Sequence, residues 1–286
     1  MAEAFVTGLD LDDFVQRVLA EDLGIGGDVT SAATIPIDAT IVAVLASREH
    51  VTIAGLPLAE MFFRALDADV KIERLVEDGS RVAPGAPVLR IAGNARKALA
   101  AERSALNTLQ HLTGIATMTR KYVDRISGTG CTLLDTRKTV PGLRVLEKYA
   151  TRMGGAENHR MRLDDGILIK DNHVAVCGGV AQAVRAAKES NFGLLIQVEV
   201  DSIDQIEPAL SAGAERLLLD NMPPPVLRKA VDLIGGRVPT EASGGVRLET
   251  IREIAETGVT YVSVGRITQS APAADLGMDY EISVED

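Results

Sequence analysis

From residue 131 onward, short apolar runs alternate with longer amphipathic stretches. The runs are CTLLD (131–135), GILIK (166–170), LLIQVEV (194–200), ERLLLD (215–220), VPTEA (238–242) and YVSVG (261–265). Several intervening stretches begin with Pro or Ser and end with Gly, as helices do. The pattern predicts repeated βα units, with a parallel sheet and the unit spacing of a (β/α) barrel. Only six strands are clear, so either the barrel is incomplete or the pattern hides two strands.

The first part of the chain has a different pattern. Asp-Gly and Pro-Gly turns separate β-rich runs in LVEDGSRVAPGAPVLRIAG (75–93), which predicts antiparallel hairpins in a separate N-terminal α/β domain. Residues 95–128 are rich in helix formers, and their leucines recur at spacings of seven and three. We predict one or two helices there, broken near Gly114.

Composition narrows the possible functions. The 286 residues are 46% hydrophobic and 24% charged, which is ordinary for a globular protein. A net charge of −10 and only 3% aromatic residues argue against nucleic-acid binding. No run is long enough to span a bilayer and the start lacks a cationic, apolar leader, so we expect no membrane partner and a cytoplasmic location. Cys131 and Cys177 lie far apart and lack metal-ligand spacing, so they are interpreted as buried thiols and not as a disulfide or zinc site.

The predicted strands end in polar residues, where barrel enzymes carry their catalytic groups. Ser243-Gly244-Gly245 and Gly265 follow the last two strands, and such glycines let backbone N–H groups approach a phosphate. Plain tight turns are the alternative. Glu199 and Asp220 end adjacent strands and are candidate ligands of a Mg²⁺ that also binds ligand phosphates. The alternative is that each caps the following helix.

A cationic wall is predicted to face these groups. It consists of Arg137, Lys138, His159, Arg160 and Lys170, and part of it lies in ENHRMRLDDGILIKDNHV (157–174). Arginine forks suit carboxylates and lysines suit phosphates, so the wall predicts a site for an anionic ligand. A solvated charged face is the alternative.

Two further patterns are assigned no part in this site. Arg144, Lys148 and Arg152 recur at helical spacing, and we interpret them as a solvated or dimer-facing helix surface. GIGGD (24–28) lacks the context of a nucleotide-binding loop.

The chain carries several long motifs, which are EDLGIGGDVTS, AERSALNTLQHLTGIAT, LLDTRKTVPGLRVLEKYATRMGGAENHRMRLDDGILIKDNHV, VEVDS, LLLDN, EASGGV and YVSVGRIT. Together these motifs resemble the quinolinate phosphoribosyltransferase family. The resemblance implies an α/β fold with an N-terminal α/β sandwich domain (1–114, joined by 271–286) and an incomplete, open α/β barrel (115–270). It also implies a homodimer that converts quinolinate and phosphoribosyl pyrophosphate (PRPP) to nicotinate mononucleotide, pyrophosphate and CO₂ with Mg²⁺.

The resemblance assigns roles residue by residue. The quinolinate carboxylates would be bound by Arg137, His159, Arg160, Lys170 and, across the dimer, Arg103. Lys138, Lys170, Glu199 and Asp220 are the predicted catalytic residues, and Glu199 and Asp220 the metal ligands. The full predicted substrate-binding set is Arg103, Arg137, Lys138, Thr139, His159, Arg160, Lys170, Glu199, Asp220, Ser243, Gly244, Gly245, Val264, Gly265 and Arg266.

Departures from the family pattern and rival functions are also visible. Ala242, Val140 and Arg266 stand where the family commonly has serine, threonine and alanine; they border the predicted phosphate loop and leave the main cationic residues intact. The rivals are a transferase for another pyridine carboxylate, a barrel aldolase with Lys170 as Schiff-base nucleophile near Glu199, and a non-catalytic sensor.

Overall fold

A computed structural model describes residues 6–281, and the chain within them forms two compact units. The first unit takes the described residues up to Met118, residues 145–155 and the described residues from Ala271 onward. The second unit takes Thr119–Arg144 and Ala156–Ser270. The boundary expected from sequence lies between residues 114 and 115. The observed division lies four residues later, between Met118 and Thr119, and places residues 145–155 in the first unit.

The helices, in chain order, are α1 (Leu11–Leu23), α2 (Val29–Thr34), α3 (Leu56–Leu66), α4 (Ala95–Ile126), α5 (Arg144–Met153), α6 (Asp171–Cys177), α7 (Val180–Glu189), α8 (Ile206–Ala212), α9 (Pro224–Ile234), α10 (Ile251–Ala255) and α11 (Arg266–Gln269). The strands are β1 (Thr40–Ser47), β2 (Val51–Thr52), β3 (Lys71–Arg74), β4 (Arg81–Val82), β5 (Pro87–Asn94), β6 (Thr132–Leu134), β7 (Ile167–Ile169), β8 (Ile196–Val200), β9 (Arg216–Asp220), β10 (Thr240–Ser243), β11 (Tyr261–Ser263) and β12 (Leu276–Glu281). A short 3-10 turn covers Ile203–Gln205. None of the described helices is both long and apolar enough to cross a membrane. The expectation of buried thiols is wrong for Cys177, which is exposed at the end of α6, and Cys131 is only partly buried.

The first unit contains an antiparallel sheet in the order β12-β1-β5-β3. The antiparallel arrangement predicted for residues 75–93 is therefore confirmed, but the hairpin pairing is not. Strand β4 pairs with β2, while β5 pairs with β1 and β3. The turn residues between β4 and β5 thus reverse the chain without joining two paired strands. Helices α1 and α3 pack together, with the rings of Phe14 and Phe62 edge to face at 6.5 Å.

Helix α4 is continuous over 32 residues, so the predicted break near Gly114 is wrong. A Cβ atom at Gly114 would lie 2.0 Å from the carbonyl oxygen of Pro272. The glycine therefore serves close packing against the returning C-terminal segment. A glycine costs a helix about 1 kcal/mol relative to alanine, which a long, well-packed helix tolerates.

Helix α5 corrects another expectation. Arg152 is exposed, but Lys148 has no exposed surface, so the prediction of a solvated or dimer-facing stripe is wrong for Lys148. Six consecutive residues, 146–151, are buried in this helix. Six residues make more than one and a half turns, so every face of the helix is covered there and none remains for a solvated lysine.

The second unit is built on a parallel sheet in the order β6-β11-β10-β9-β8-β7. All six predicted barrel strands are confirmed. Strands β6 and β7 lie at the two edges and do not pair with each other in the described part of the chain, so the barrel is open. The run Leu217–Leu219 in β9 is buried, as expected for a strand covered on both sides. All the carboxyl ends meet at one rim because the strands are parallel.

Candidate active site

A cavity of about 750 Å³ opens at the carboxyl ends of the parallel strands, within the second unit. Residues two positions apart line it on four strands: Leu168 and Lys170, Leu218 and Asp220, Glu241 and Ser243, Ser263 and Gly265. Alternate residues of a strand share one face, so the first residue of each pair lines the cavity from the strand itself and the second lines it at or just beyond the carboxyl end of the strand.

The cavity brings together most of the predicted site residues. Those that line it are Arg137, Lys138, His159, Arg160, Lys170, Glu199, Asp220, Ser243, Gly244, Gly245, Val264, Gly265 and Arg266. The two that do not line it are Arg103 and Thr139. Arg103 is exposed on helix α4, in the first unit. The hydroxyl of Thr139 instead accepts a hydrogen bond from Nε of Arg144 at 3.1 Å.

Two arginines form one side of the cavity. Burial lowers the pKa of Arg160, and the neighbouring positive charge of Arg137 lowers it further. Arg160 donates one hydrogen bond, at 2.9 Å, to the carbonyl oxygen of Gly166. The buried Nε of Arg137 has no hydrogen-bond partner among the described residues. Two close, partly buried cations with spare donors favour a bound anion with more than one negative oxygen.

Acidic groups occupy another part of the rim. Nζ of Lys170 lies 2.8 Å from Oε2 of Glu199. Burial and the charge of Glu199 raise the pKa of Asp220, against the opposing effects of Asn221, Lys170 and Lys138. Two carboxylates thus stand within electrostatic reach of each other and of two lysines. Such a cluster accommodates an additional cation, which would relieve the repulsion between the two acids.

The last two strands lead into loops with little room for side chains. Gly244 and Gly245 have φ values of 93° and 62°, which only glycine adopts without strain. A Cβ at Gly244 would lie 2.1 Å from Oδ1 of Asn221, and one at Gly265 would lie 2.8 Å from Cδ of Lys138. Glycine therefore brings the backbone close to the cavity and to a lysine, as phosphate binding requires.

Buried groups hold the segment that carries His159. The carboxylate of Asp135, which has no exposed surface, accepts hydrogen bonds from Nδ2 of Asn158 at 2.6 Å and from the backbone N–H of His159 at 2.9 Å. Asp135 directly follows β6, so an edge strand of the open sheet positions this part of the cationic wall.

Several lining residues were absent from the predicted set. They are Thr136, Leu168, Leu218, Asn221, Glu241, Val246, Arg247, Ser263 and Gln269. Glu241 is the most informative, because it is a fully buried carboxylate inside β10. A charge within the predicted buried strand VPTEA was the available signal, since a buried carboxylate needs a specific partner or function.

Comparison with known proteins agrees with this architecture. Family models described as the N-terminal and C-terminal domains of quinolinate phosphoribosyl transferase match residues 28–113 and 115–279. The chain belongs to the quinolinate phosphoribosyltransferase family. It is 43% identical over 272 residues to a Mycobacterium leprae protein named nicotinate-nucleotide pyrophosphorylase [carboxylating], covering 93% of this chain and 96% of the relative.

Two further relatives extend the comparison. A chloroplastic protein of the same name from Arabidopsis thaliana is 40% identical over 297 residues, covering 96% of this chain and 85% of the relative. The solved structure of the nicotinate-nucleotide pyrophosphorylase from Francisella tularensis superimposes with a TM-score of 0.92 at 37% identity, covering 98% of this chain and 100% of the other. The family and the open-barrel fold expected from the resemblance are confirmed.

The described residues of this quinolinate phosphoribosyltransferase family member contain no group of three or more His, Cys, Asp or Glu side chains arranged to hold a metal. Glu199 and Asp220 line the cavity from the neighbouring strands β8 and β9. Two carboxylates suit Mg²⁺, which retains waters and commonly takes its other ligands from substrate phosphates.

Proposed function

We propose that the protein transfers the phosphoribosyl group of PRPP to quinolinate, with loss of CO₂, to form nicotinate mononucleotide and pyrophosphate for NAD biosynthesis. Family membership and the named relatives support the reaction. The observation that carries the proposal is the pair Arg137 and Arg160, two adjacent, partly buried cations with a spare buried donor. A pyridine with two adjacent carboxylates provides the matching charge and several acceptor oxygens.

Quinolinate is assigned to the cationic side of the cavity. Arg137 and Arg160 bind its carboxylates, with His159 and Lys170 beside them. Arg103 is assigned to the same carboxylates in a partner's cavity, within a homodimer. This assignment rests on the resemblance and on the exposure of Arg103 on α4, which makes it accessible to another subunit.

PRPP is assigned to the acidic and glycine-rich side of the cavity. Ser243, Gly244, Gly245 and the Val264–Arg266 segment bind the 5′-phosphate, and Lys138 binds the pyrophosphate. Glu199 and Asp220 would hold Mg²⁺, and the bound ion would supply positive charge to neutralise the leaving pyrophosphate. Thr139 supports the segment that carries Lys138, because its hydroxyl accepts a hydrogen bond from Arg144.

The residues contribute mainly position and electrostatics. Two anionic substrates repel each other in water, and the opposing cationic groups hold them so that the ring nitrogen can attack ribose C1 as the bond to pyrophosphate breaks. The alkylated ring then draws electrons from C2, the bond to the C2 carboxylate breaks, CO₂ leaves and C2 takes up a proton. The attacking nitrogen carries no proton, so the transfer step requires no general base.

The first experiment measures CO₂ and pyrophosphate released from quinolinate, PRPP and Mg²⁺, with nicotinate in a parallel reaction. Equal release of both products from quinolinate alone supports the proposal. Pyrophosphate release with nicotinate would instead indicate a sister transferase, and release from neither would contradict transferase activity. Omitting Mg²⁺ in the presence of a chelator tests the metal assignment, because transfer should then be lost.

Two rival functions make different predictions. In an aldolase, Lys170 would attack a carbonyl carbon, whereas here its Nζ is directed at Oε2 of Glu199 at 2.8 Å. Borohydride trapping with carbonyl compounds tests this rival. A sensor would bind quinolinate or PRPP without releasing pyrophosphate. The cytoplasmic location and the absence of nucleic-acid and membrane partners remain predictions from sequence.

A further inference from the structure

Glu241 is a carboxylate with no exposed surface, deep in the cavity of the second unit. Its Oε2 accepts a hydrogen bond from Nε2 of Gln197 at 2.7 Å and lies 3.4 Å from Nε2 of His159. Its Oε1 makes no hydrogen bond with any described residue. Burying a carboxylate costs free energy unless it is paired, so its position beside His159 of the cationic wall indicates a specific role.

The protonation of the His159 ring follows from its contacts. The backbone N–H of Arg160 donates to Nδ1 of His159 at 2.7 Å, so Nδ1 must carry a lone pair. In the neutral ring the proton is then on Nε2, which faces Glu241. Both ring nitrogens are thus directed at the protein itself, and His159 presents the remainder of its ring to the cavity.

We propose that Glu241 is a positioning residue for quinolinate binding, which fixes His159 in its Nε2–H tautomer and holds the ring in place between Arg160 and the cavity floor. The proposal rests on the proposed function. It assigns His159 an orienting and packing role beside the pyridine ring, while Arg137, Arg160 and Lys170 supply the positive charge.

The charge state of Glu241 agrees with this role. Burial alone would raise the pKa of its carboxyl, but His159, Ser263 and Gln197 together lower it, so the group is ionised at neutral pH. An ionised carboxylate is a strong acceptor for the Nε2–H group and favours the assigned tautomer over the other.

The test compares Glu241→Met, which removes the acceptor at similar volume, with Glu241→Gln, whose amide oxygen can still accept from Nε2. We expect Glu241→Met to lower kcat/KM for quinolinate about 10- to 100-fold, as the loss of an orienting partner commonly does. KM for PRPP should stay near the wild-type value, and Glu241→Gln should recover part of the loss. Equal losses for both substrates, or no loss, would overturn the proposal.

A double-mutant cycle separates positioning from a general effect on folding. If Glu241 acts through His159, the double variant Glu241→Gln/His159→Phe loses no more activity than His159→Phe alone; multiplied losses contradict the proposal. Thr240→Val is the matched control, because Thr240 is also buried on the same strand but makes its hydrogen bonds with Thr260. Its kinetics should match those of the wild type.

A spectroscopic measurement tests the tautomer without relying on activity. Long-range ¹H–¹⁵N spectra of the imidazole rings, with His159 assigned by its loss in His159→Phe, should show the proton on Nε2 in the wild type and a changed tautomer population in Glu241→Met. A wild-type ring protonated on Nδ1 would overturn the inference even in an active enzyme. Failure of the proposed function would appear separately, as the absence of turnover in the wild type.

Discussion

The two units differ in whether their buried polar groups all have hydrogen-bond partners. In the first unit, Nε2 of His111 lies 2.9 Å from the fully buried Glu147, and the hydroxyl of Tyr149 donates to Asp78 at 2.6 Å. Asp78 also accepts from the backbone N–H groups of Gly55 and Leu56 at the start of α3. These groups satisfy one another inside the fold.

In the second unit, buried side-chain atoms without a hydrogen-bond partner occur on Arg120, Arg137, Arg216 and Glu241, and none occurs among the described residues of the first. Arg137 and Glu241 line the large cavity. Unsatisfied buried groups cost stability, so the two that line this cavity are candidates for a role in the site. Buried charge in the first unit is thus satisfied within the fold, whereas Arg137 and Glu241 of the second unit each keep a buried atom without a partner beside the cavity.

The largest effect is expected from Arg137→Ala. If Arg137 binds a quinolinate carboxylate, removing it leaves a buried anion unpaired, and kcat/KM for quinolinate should fall on the order of 10²–10³-fold, or about 3–4 kcal/mol. The kcat/KM of Arg137→Lys should lie between those of the wild type and Arg137→Ala, because lysine keeps the positive charge but lacks the planar guanidinium fork. Steady-state kinetics at varied quinolinate measures both, and near-wild-type turnover of Arg137→Ala would refute the assignment.

Asp220→Asn should separate activity from stability. If Asp220 holds Mg²⁺ as proposed, loss of its carboxylate should lower turnover on the order of 100-fold. The pKa of Asp220 is raised in the folded protein, so its ionised form disfavours folding at neutral pH, and this penalty fades as the pH falls through the folded-state pKa towards the unfolded value of 3.8. The variant should therefore melt at a higher temperature than the wild type at pH 7, and the difference should shrink at lower pH. A lower Tm at pH 7 contradicts the interpretation.

Gly114→Ala tests packing in the first unit. An alanine normally favours a helix by about 1 kcal/mol over glycine, but here its Cβ would meet the Pro272 carbonyl oxygen at 2.0 Å. We expect a net loss of about 1–3 kcal/mol in the free energy of unfolding, measured by urea denaturation. Gly26→Ala is the control, because its added Cβ meets only Val29, at 3.8 Å. A stabilised Gly114→Ala would show that the contact relaxes without cost.

Tyr149→Phe should have the smallest effect. The substitution removes one hydrogen bond to Asp78, which keeps its two backbone donors. The free energy of unfolding, measured by urea denaturation, should therefore fall by about 1–1.5 kcal/mol. Kinetic constants should change less than twofold if this pair serves folding alone. A large change in KM for either substrate would break the distinction drawn between the two units.

The barrel strands and the rim residues can be predicted from sequence because the patterns that indicate them are local. Each apolar run is bounded by polar residues, and parallel strands place all those ends at one edge, so the order of residues along the chain is enough to group Lys170, Glu199 and Asp220. Glu241 and Asp135 were assigned no role, because their importance depends on which side chains they meet across the sheet.

The errors share one cause. Gly114 and Lys148 were interpreted from local propensity and spacing, yet each is decided by neighbours distant in sequence or by burial on every side. The same holds for β4, whose partner is β2 and not the adjacent strand β5. Propensity is a weak guide wherever tertiary packing is tight.

The amino-acid sequence alone determined the family, the six parallel strands and the identity of most cavity-lining charges, because periodicity and strand polarity are local properties. The tertiary structure decided that β4 pairs with β2, that α4 runs unbroken past Gly114, and that Glu241 lies 3.4 Å from His159. These depend on distances between residues far apart in the chain, which emerge only when the whole core is packed.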